Sequence, residues 1–229
     1  MVAILFLVTV IIFLVIDYVM RKREAHQTAE AAVPVQKTSK ARSPMALVSE
    51  PYFHPTHTWA KITDDTVTIG VDEFAQKILG RVQRLDIPKI GSYLQQGDIA
   101  WRLFHGMRVL PQSAPVEGEV VEINHELFTQ PHRINKSPYE EGWILKIKPV
   151  ALRHNLKNLL HGETARRWLE TVRAQFVTRF STEVGPVCQD GGELIDGAGE
   201  LLSEAEWNEV LKEYFMIDEI ENNNLSINK

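Results

Sequence analysis

Thr66-Val67-Thr68-Ile69-Gly70-Val71-Asp72-Glu73-Phe74-Ala75-Gln76-Lys77-Ile78-Leu79-Gly80 changes its apolar period halfway along. Val67, Ile69 and Val71 alternate with smaller or polar residues, the pattern of a strand with one buried face. From Asp72 the alternation stops. Asp72 and Glu73 open a short helix that runs through Ile78, and Gly80 ends it. Asp64-Asp65 is a turn signal just upstream. Downstream, strands are expected at Arg81–Ile87, Ile99–Phe104, Gly118–Ile123 and Trp143–Ile147. Pro88…Gly91, Gln96-Gly97-Asp98, Pro115…Gly118 and Pro138…Gly142 separate them. Short strands at this spacing predict a small barrel or sandwich.

The chain around this stretch has 229 residues, 44% apolar and 24% charged, with a formal charge of −5. That length holds one core with appendages or two small domains, and the composition excludes a wholly disordered chain. A single cysteine, Cys188, excludes an intrachain disulfide framework; its acidic neighbours disfavour a thiolate, though a thiol-redox role stays open. Mild acidity argues against general nucleic-acid binding. The average conceals opposed blocks, however. Glu183 to Glu221 carries twelve acidic residues and one basic residue, Lys212, which leaves about +6 elsewhere.

Residues 2–16 are apolar apart from Thr9, and the run extends to Met20. At about 1.5 Å per residue it approaches the roughly 30 Å of a bilayer core. Arg21-Lys22-Arg23 follows, which under the positive-inside rule puts the bulk of the chain in the cytoplasm. The expectation is a transmembrane helix over 1–20 and a single-pass protein of the inner or cytoplasmic membrane. A basic flexible linker is expected over 21–48, a β-rich module over 49–149 and a helical extension over 150–229.

In that extension, Leu152 to Phe180 is expected to be helical, with Ala165, Trp168, Leu169, Val172, Phe176 and Phe180 on one face. Ser203 caps a second helix, to about Met216, with Glu206 at the capping-box position. Its stripe of Trp207, Val210, Leu211, Tyr214 and Phe215 has two readings. It packs onto the module or the preceding helix, or it recruits a partner, with Trp207, Leu211, Tyr214 and Phe215 as contact residues.

Several segments resemble the glycine-cleavage H-protein, a lipoyl carrier of the biotinyl/lipoyl-like fold. They are His57-Thr58-Trp59, Thr68 to Gln76, Leu79-Gly80, Leu85-Asp86-Ile87-Pro88 and Gly97-Asp98, then Ala114 to Asn124 and Asn135 to Ile147. Their order and spacing over about 100 residues carry the resemblance. It implies a mainly β barrel-sandwich hybrid.

The resemblance also implies a lipoylated lysine on a hairpin seven residues before Ala114. Met107 stands there, within Phe104-His105-Gly106-Met107-Arg108, and no lysine occurs between Lys89 and Lys136. A lipoyl amide requires a primary amine, which neither a thioether nor a guanidinium supplies. Lipoate is therefore expected to be absent. His105, Met107 and Arg108 become a candidate docking tip, a role set against plain drift after loss of the modification. The expected function is a membrane-anchored, non-enzymatic docking or assembly component for a cytoplasmic protein partner. The alternative is a lipoyl or acyl carrier that uses an unexpected lysine, Lys89 or Lys136.

Eight histidines raise the question of a metal, but none joins a zinc-like Cys/His spacing, and none is expected to bind one. His57 is expected to serve structural hydrogen bonding.

Overall fold

The computed structural model describes residues 50–180 and 194–217. Its strands are β1 Tyr52–Phe53, β2 Thr58–Thr63, β3 Thr66–Val71, β4 Arg84–Asp86, β5 Tyr93–Leu94, β6 Ile99–His105, β7 Arg108–Ser113, β8 Gly118–Ile123 and β9 Leu145–Pro149. Its α-helices are α1 Glu73–Leu79, α2 Arg133–Lys136, α3 Leu152–Asn155, α4 Gly162–Phe180 and α5 Glu204–Phe215. Two antiparallel sheets form, one in the order β1-β2-β3-β9-β8-β5 and the other β4-β6-β7.

The local rules hold where the sequence punctuates itself. β3 buries Val67, Ile69 and Val71, and Asp72 caps α1 by accepting a hydrogen bond from the Ala75 N–H at 2.9 Å. Gly80 ends that helix at φ +86. A Cβ there would lie 2.9 Å from Gly197 Cα, so the glycine also permits a close backbone approach from the C-terminal extension.

The strand expected over Arg81–Ile87 shortens to Arg84–Asp86, and the one over Trp143–Ile147 shifts to Leu145–Pro149. β7 had no alternation to announce it and contains Pro111. It lies at the edge of the three-stranded sheet, where a missing N–H is tolerated. The helix expected over Leu152–Phe180 is broken. Leu160 leaves it to exchange backbone hydrogen bonds with Phe53 at 2.7 Å in both directions, and Gly162 restarts the chain at φ +58.

The expected fold class and location require correction. No helix among the described residues is long and apolar enough to cross a membrane. The longest, α4, carries Glu163, Arg166, Arg167, Glu170, Arg173 and Arg179, each too costly for a bilayer core. The architecture is a mainly β sandwich-like fold with helices packed against it, and the inner- or cytoplasmic-membrane assignment does not stand. Residues 1–20, the 21–48 linker and Cys188 lie outside the described residues.

The larger of two apolar clusters joins the β-rich module to its C-terminal extension: Leu103 and Leu110 of the second sheet share it with Phe176, Trp207, Leu211 and Phe215. The α5 stripe is thus spent inside the chain. Phe74 meets Tyr214 and Phe215 with ring centroids 5.7 and 6.3 Å apart, and Phe176 meets Tyr214 edge-on at 5.7 Å. Trp207, Leu211, Tyr214 and Phe215 are all buried, so as folded they present nothing to a partner. The packing alternative describes this helix.

Candidate functional site: the β6–β7 hairpin tip

β6 and β7 pair from Ile99↔Ser113 to His105↔Arg108, leaving Gly106 and Met107 as a two-residue connection. Gly106 adopts φ +54, a conformation that strains an L side chain, and glycine at the first of two connecting positions is a tight-hairpin pattern. The turn aims Met107 into solvent at 99% exposure, the most exposed of the large apolar residues described. A residue at this tip is displayed on a rigid stalk, since the register beneath it is set by the paired strands.

The two flanking residues behave differently. His105 Nδ1 donates to the Arg81 carbonyl at 2.5 Å, while its Nε2 meets Glu200 Oε1 at 2.5 Å. Both ring nitrogens therefore lie within hydrogen-bond reach of an oxygen from a distant part of the chain. Arg108 donates to the Leu202 carbonyl and holds its guanidinium carbon 5.2 Å from the centre of the Trp207 ring. His105 and Arg108 therefore clamp the C-terminal extension to the hairpin base. Of the three residues expected at a docking tip, Met107 alone points outward.

The extension was not legible as a hairpin clamp because its contacts span nearly 100 residues of sequence, 94 between Arg108 and Leu202. Further anchors support it: Gly197 N–H donates to the Lys77 carbonyl at 2.7 Å, and Lys77 Nζ donates to the Leu194 carbonyl at 3.3 Å. Lys89 follows β4 and Lys136 ends α2, so neither lies on the hairpin.

His57 sits in the core beside the start of α1. It is buried at φ +65, its Nδ1 lies 2.7 Å from Asp72 Oδ2, and its ring stacks on Trp168 at 4.7 Å. Burial, and secondarily the nearby His57, lowers the His54 pKa to about 4. Burial and then the Asp72 charge push the Tyr139 phenol well above its usual range. Among the described residues no group of three or more His, Cys, Asp or Glu is placed to hold a metal ion. A separate cleft of about 420 Å³, floored by Phe53, Trp59, Ala165 and Leu169, opens beside Lys61 and Glu140. No sequence pattern pointed to it, because its walls come from four distant segments.

Residues 51–172 match the family profile described as glycine cleavage H-protein, which is just over half of the chain. The chain belongs to the glycine cleavage H-protein family. It is 37% identical over 122 residues to a probable glycine cleavage system H protein of Pyrococcus furiosus, covering 53% of this chain and 90% of that one. It is 42% identical over 113 residues to the glycine cleavage system H protein of Psychromonas ingrahamii, covering 48% and 89%. Among solved structures it is similar to a glycine cleavage system H protein from Mycobacterium marinum, at 25% identity and a TM-score of 0.43, covering 44% of this chain and 84% of that one. The H-protein match runs from β1 into α4 and ends before the extension that clamps the hairpin.

Proposed function

We propose that this H-protein-like chain is a docking or assembly component for a protein partner, and that it carries no lipoyl group and catalyses no reaction itself. The observation that carries the reading is Met107. It occupies the exposed hairpin tip, where the H-protein resemblance implies a lipoyl-lysine. A thioether has no amine to acylate, and the chain has no lysine from Ile90 to Asn135. Without an arm, a carrier has no group to present to a catalyst, yet the scaffold that would present it is complete and rigidly paired. A flexible, polarizable methionine at such a tip suits contact with an apolar socket on another protein. The C-terminal clamp supports the same reading, because it fixes the hairpin base and leaves the tip free.

Intact-mass measurement of the protein purified from its native host tests this. The expected mass is that of the unmodified chain, and a lipoyl or other acyl adduct located between Tyr52 and Pro149 would sink the proposal.

A further inference from the structure

The β4–β6 part of the second sheet has one partly exposed face. Register places Arg84 opposite Phe104 and Asp86 opposite Arg102, and their neighbours Leu85 and Leu103 are buried. By the two-residue alternation of a strand, Arg84, Asp86, Arg102 and Phe104 share the outward face. The Arg84 guanidinium lies 3.5 Å from the centre of the Phe104 ring and also bonds Asp86, so the only carboxylate in this group is already taken. Arg81 is exposed in the segment just before β4, and its carbonyl is tied to His105 at the hairpin base. Neither Arg81 nor Arg102 has a side-chain ion pair among the described residues. Arg84 and Arg102 against one engaged carboxylate make a cationic strip on the strand that leads to the exposed methionine, with Arg81 exposed near the hairpin base, on a chain of net charge −5.

We propose that this strip, Arg84 and Arg102 with Phe104 and the Met107 knob, is the surface on which an acidic protein partner docks. The inference rests on the docking role proposed above and adds the partner's chemistry. An unpaired guanidinium offers forked donors that match a carboxylate, and stacking on an aromatic ring orders Arg84 before it meets one. The other flank of the tip selects among anionic partners. Beyond the paired Glu200, the exposed Glu204 begins α5 there, and its carboxylate disfavours an extended polyanion such as a nucleic acid crossing the hairpin. A compact acidic patch around an apolar socket fits both flanks: the socket takes Met107, and the patch faces the arginines and stops short of Glu200.

The test uses the full chain in its native host with a benzophenone amino acid at position 107, and separately at Tyr93 on the far edge strand β5. The expected result is a protein adduct from position 107 whose attached peptide is rich in Asp and Glu. Its yield should fall about tenfold in R84E/R102E, as charges at the rim of an interface govern encounter, and persist in R84K/R102K. The lysine pair keeps the test decisive if charge reversal impairs folding, which a thermal melt of each variant reports. An adduct insensitive to charge reversal in a folded variant, or one to nucleic acid or lipid, overturns the surface. Adducts from position 93 alone overturn the surface but leave the docking role standing. No protein adduct from either position removes both, whereas an acyl group found by intact mass removes the proposed function whatever the cross-links show.

Discussion

His105 and Glu200 meet at 2.5 Å, joining the base of the β6–β7 hairpin to a 3-10 turn that begins at Ala198. The contact is the outer member of a set that continues through Arg108 to the Leu202 carbonyl and the Trp207 ring. The extension therefore reports on the hairpin. Because Glu200 is half exposed, Glu200→Gln should cost only about 0.2–1 kcal/mol globally. Its visible effect should be local: faster amide hydrogen exchange over Gly197–Leu202, with β3 and β9 unchanged. Unchanged exchange in that turn would show that the clamp does not depend on this pair.

Trp207 is only 3% exposed, and the six-membered ring of its indole packs so close to Gly199 that a Cβ there would lie 2.6 Å from it. Trp207→Ala should destabilise the whole chain by about 3–5 kcal/mol, the usual cost of emptying a large aromatic site. A denaturation midpoint equal to that of the parent would mean that the α5 stripe is not core. Ser203→Ala, which removes the observed capping box, should cost about 1 kcal/mol in the same measurement.

Asp72 does two tasks at once. It accepts from the Ala75 N–H at 2.9 Å and holds the buried His57 at 2.7 Å. Asp72→Ala leaves both groups unpaired in the core and should cost about 3–5 kcal/mol, with Asp72→Asn milder because an amide oxygen can still accept. Equal losses for the two variants, read from urea unfolding, would contradict this division of roles.

Stability should also respond to mild acid through His54. Its folded pKa, about 4, lies below the unfolded value of 6.5. Between those values the unfolded chain binds the proton and the folded one does not, so stability is full above about pH 6.5 and falls towards pH 4. The loss from this group is up to about 3 kcal/mol, and His54→Gln should flatten that part of the profile. A variant whose stability still falls as steeply between pH 6.5 and 4 would assign the effect elsewhere.

Gly118 makes a steric prediction. At φ +153, an added Cβ would fall 2.2 Å from the Lys148 carbonyl oxygen, a backbone atom that cannot yield. Gly118→Ala should break the β8–β9 pairing locally and lower the melting temperature by several degrees, about the shift expected for 1–3 kcal/mol in a domain of this size. An unshifted melt would refute the clash.

The sequence by itself determined what depends on near neighbours. The alternation in Thr66–Val71, the Asp72 cap and the Ser203–Glu206 capping box all lie within a few residues, where backbone geometry and local hydrogen bonding leave little choice. It also determined that methionine stands at position 107, because residue identity is read directly from the chain. Only the tertiary structure decided where the apolar stripe of α5 goes and which tip residues stay free. A stripe at helical spacing states that a face needs covering, and its cover, here Phe74, Phe176 and the hairpin base, is contributed by residues far away in sequence. Likewise His105, Met107 and Arg108 read as one polar-apolar group in sequence. Two of them turn inward because long-range acceptors, Glu200 and the Leu202 carbonyl, are brought to them by folding, and Met107 stays outward because the two-residue turn leaves it no neighbour to pack against.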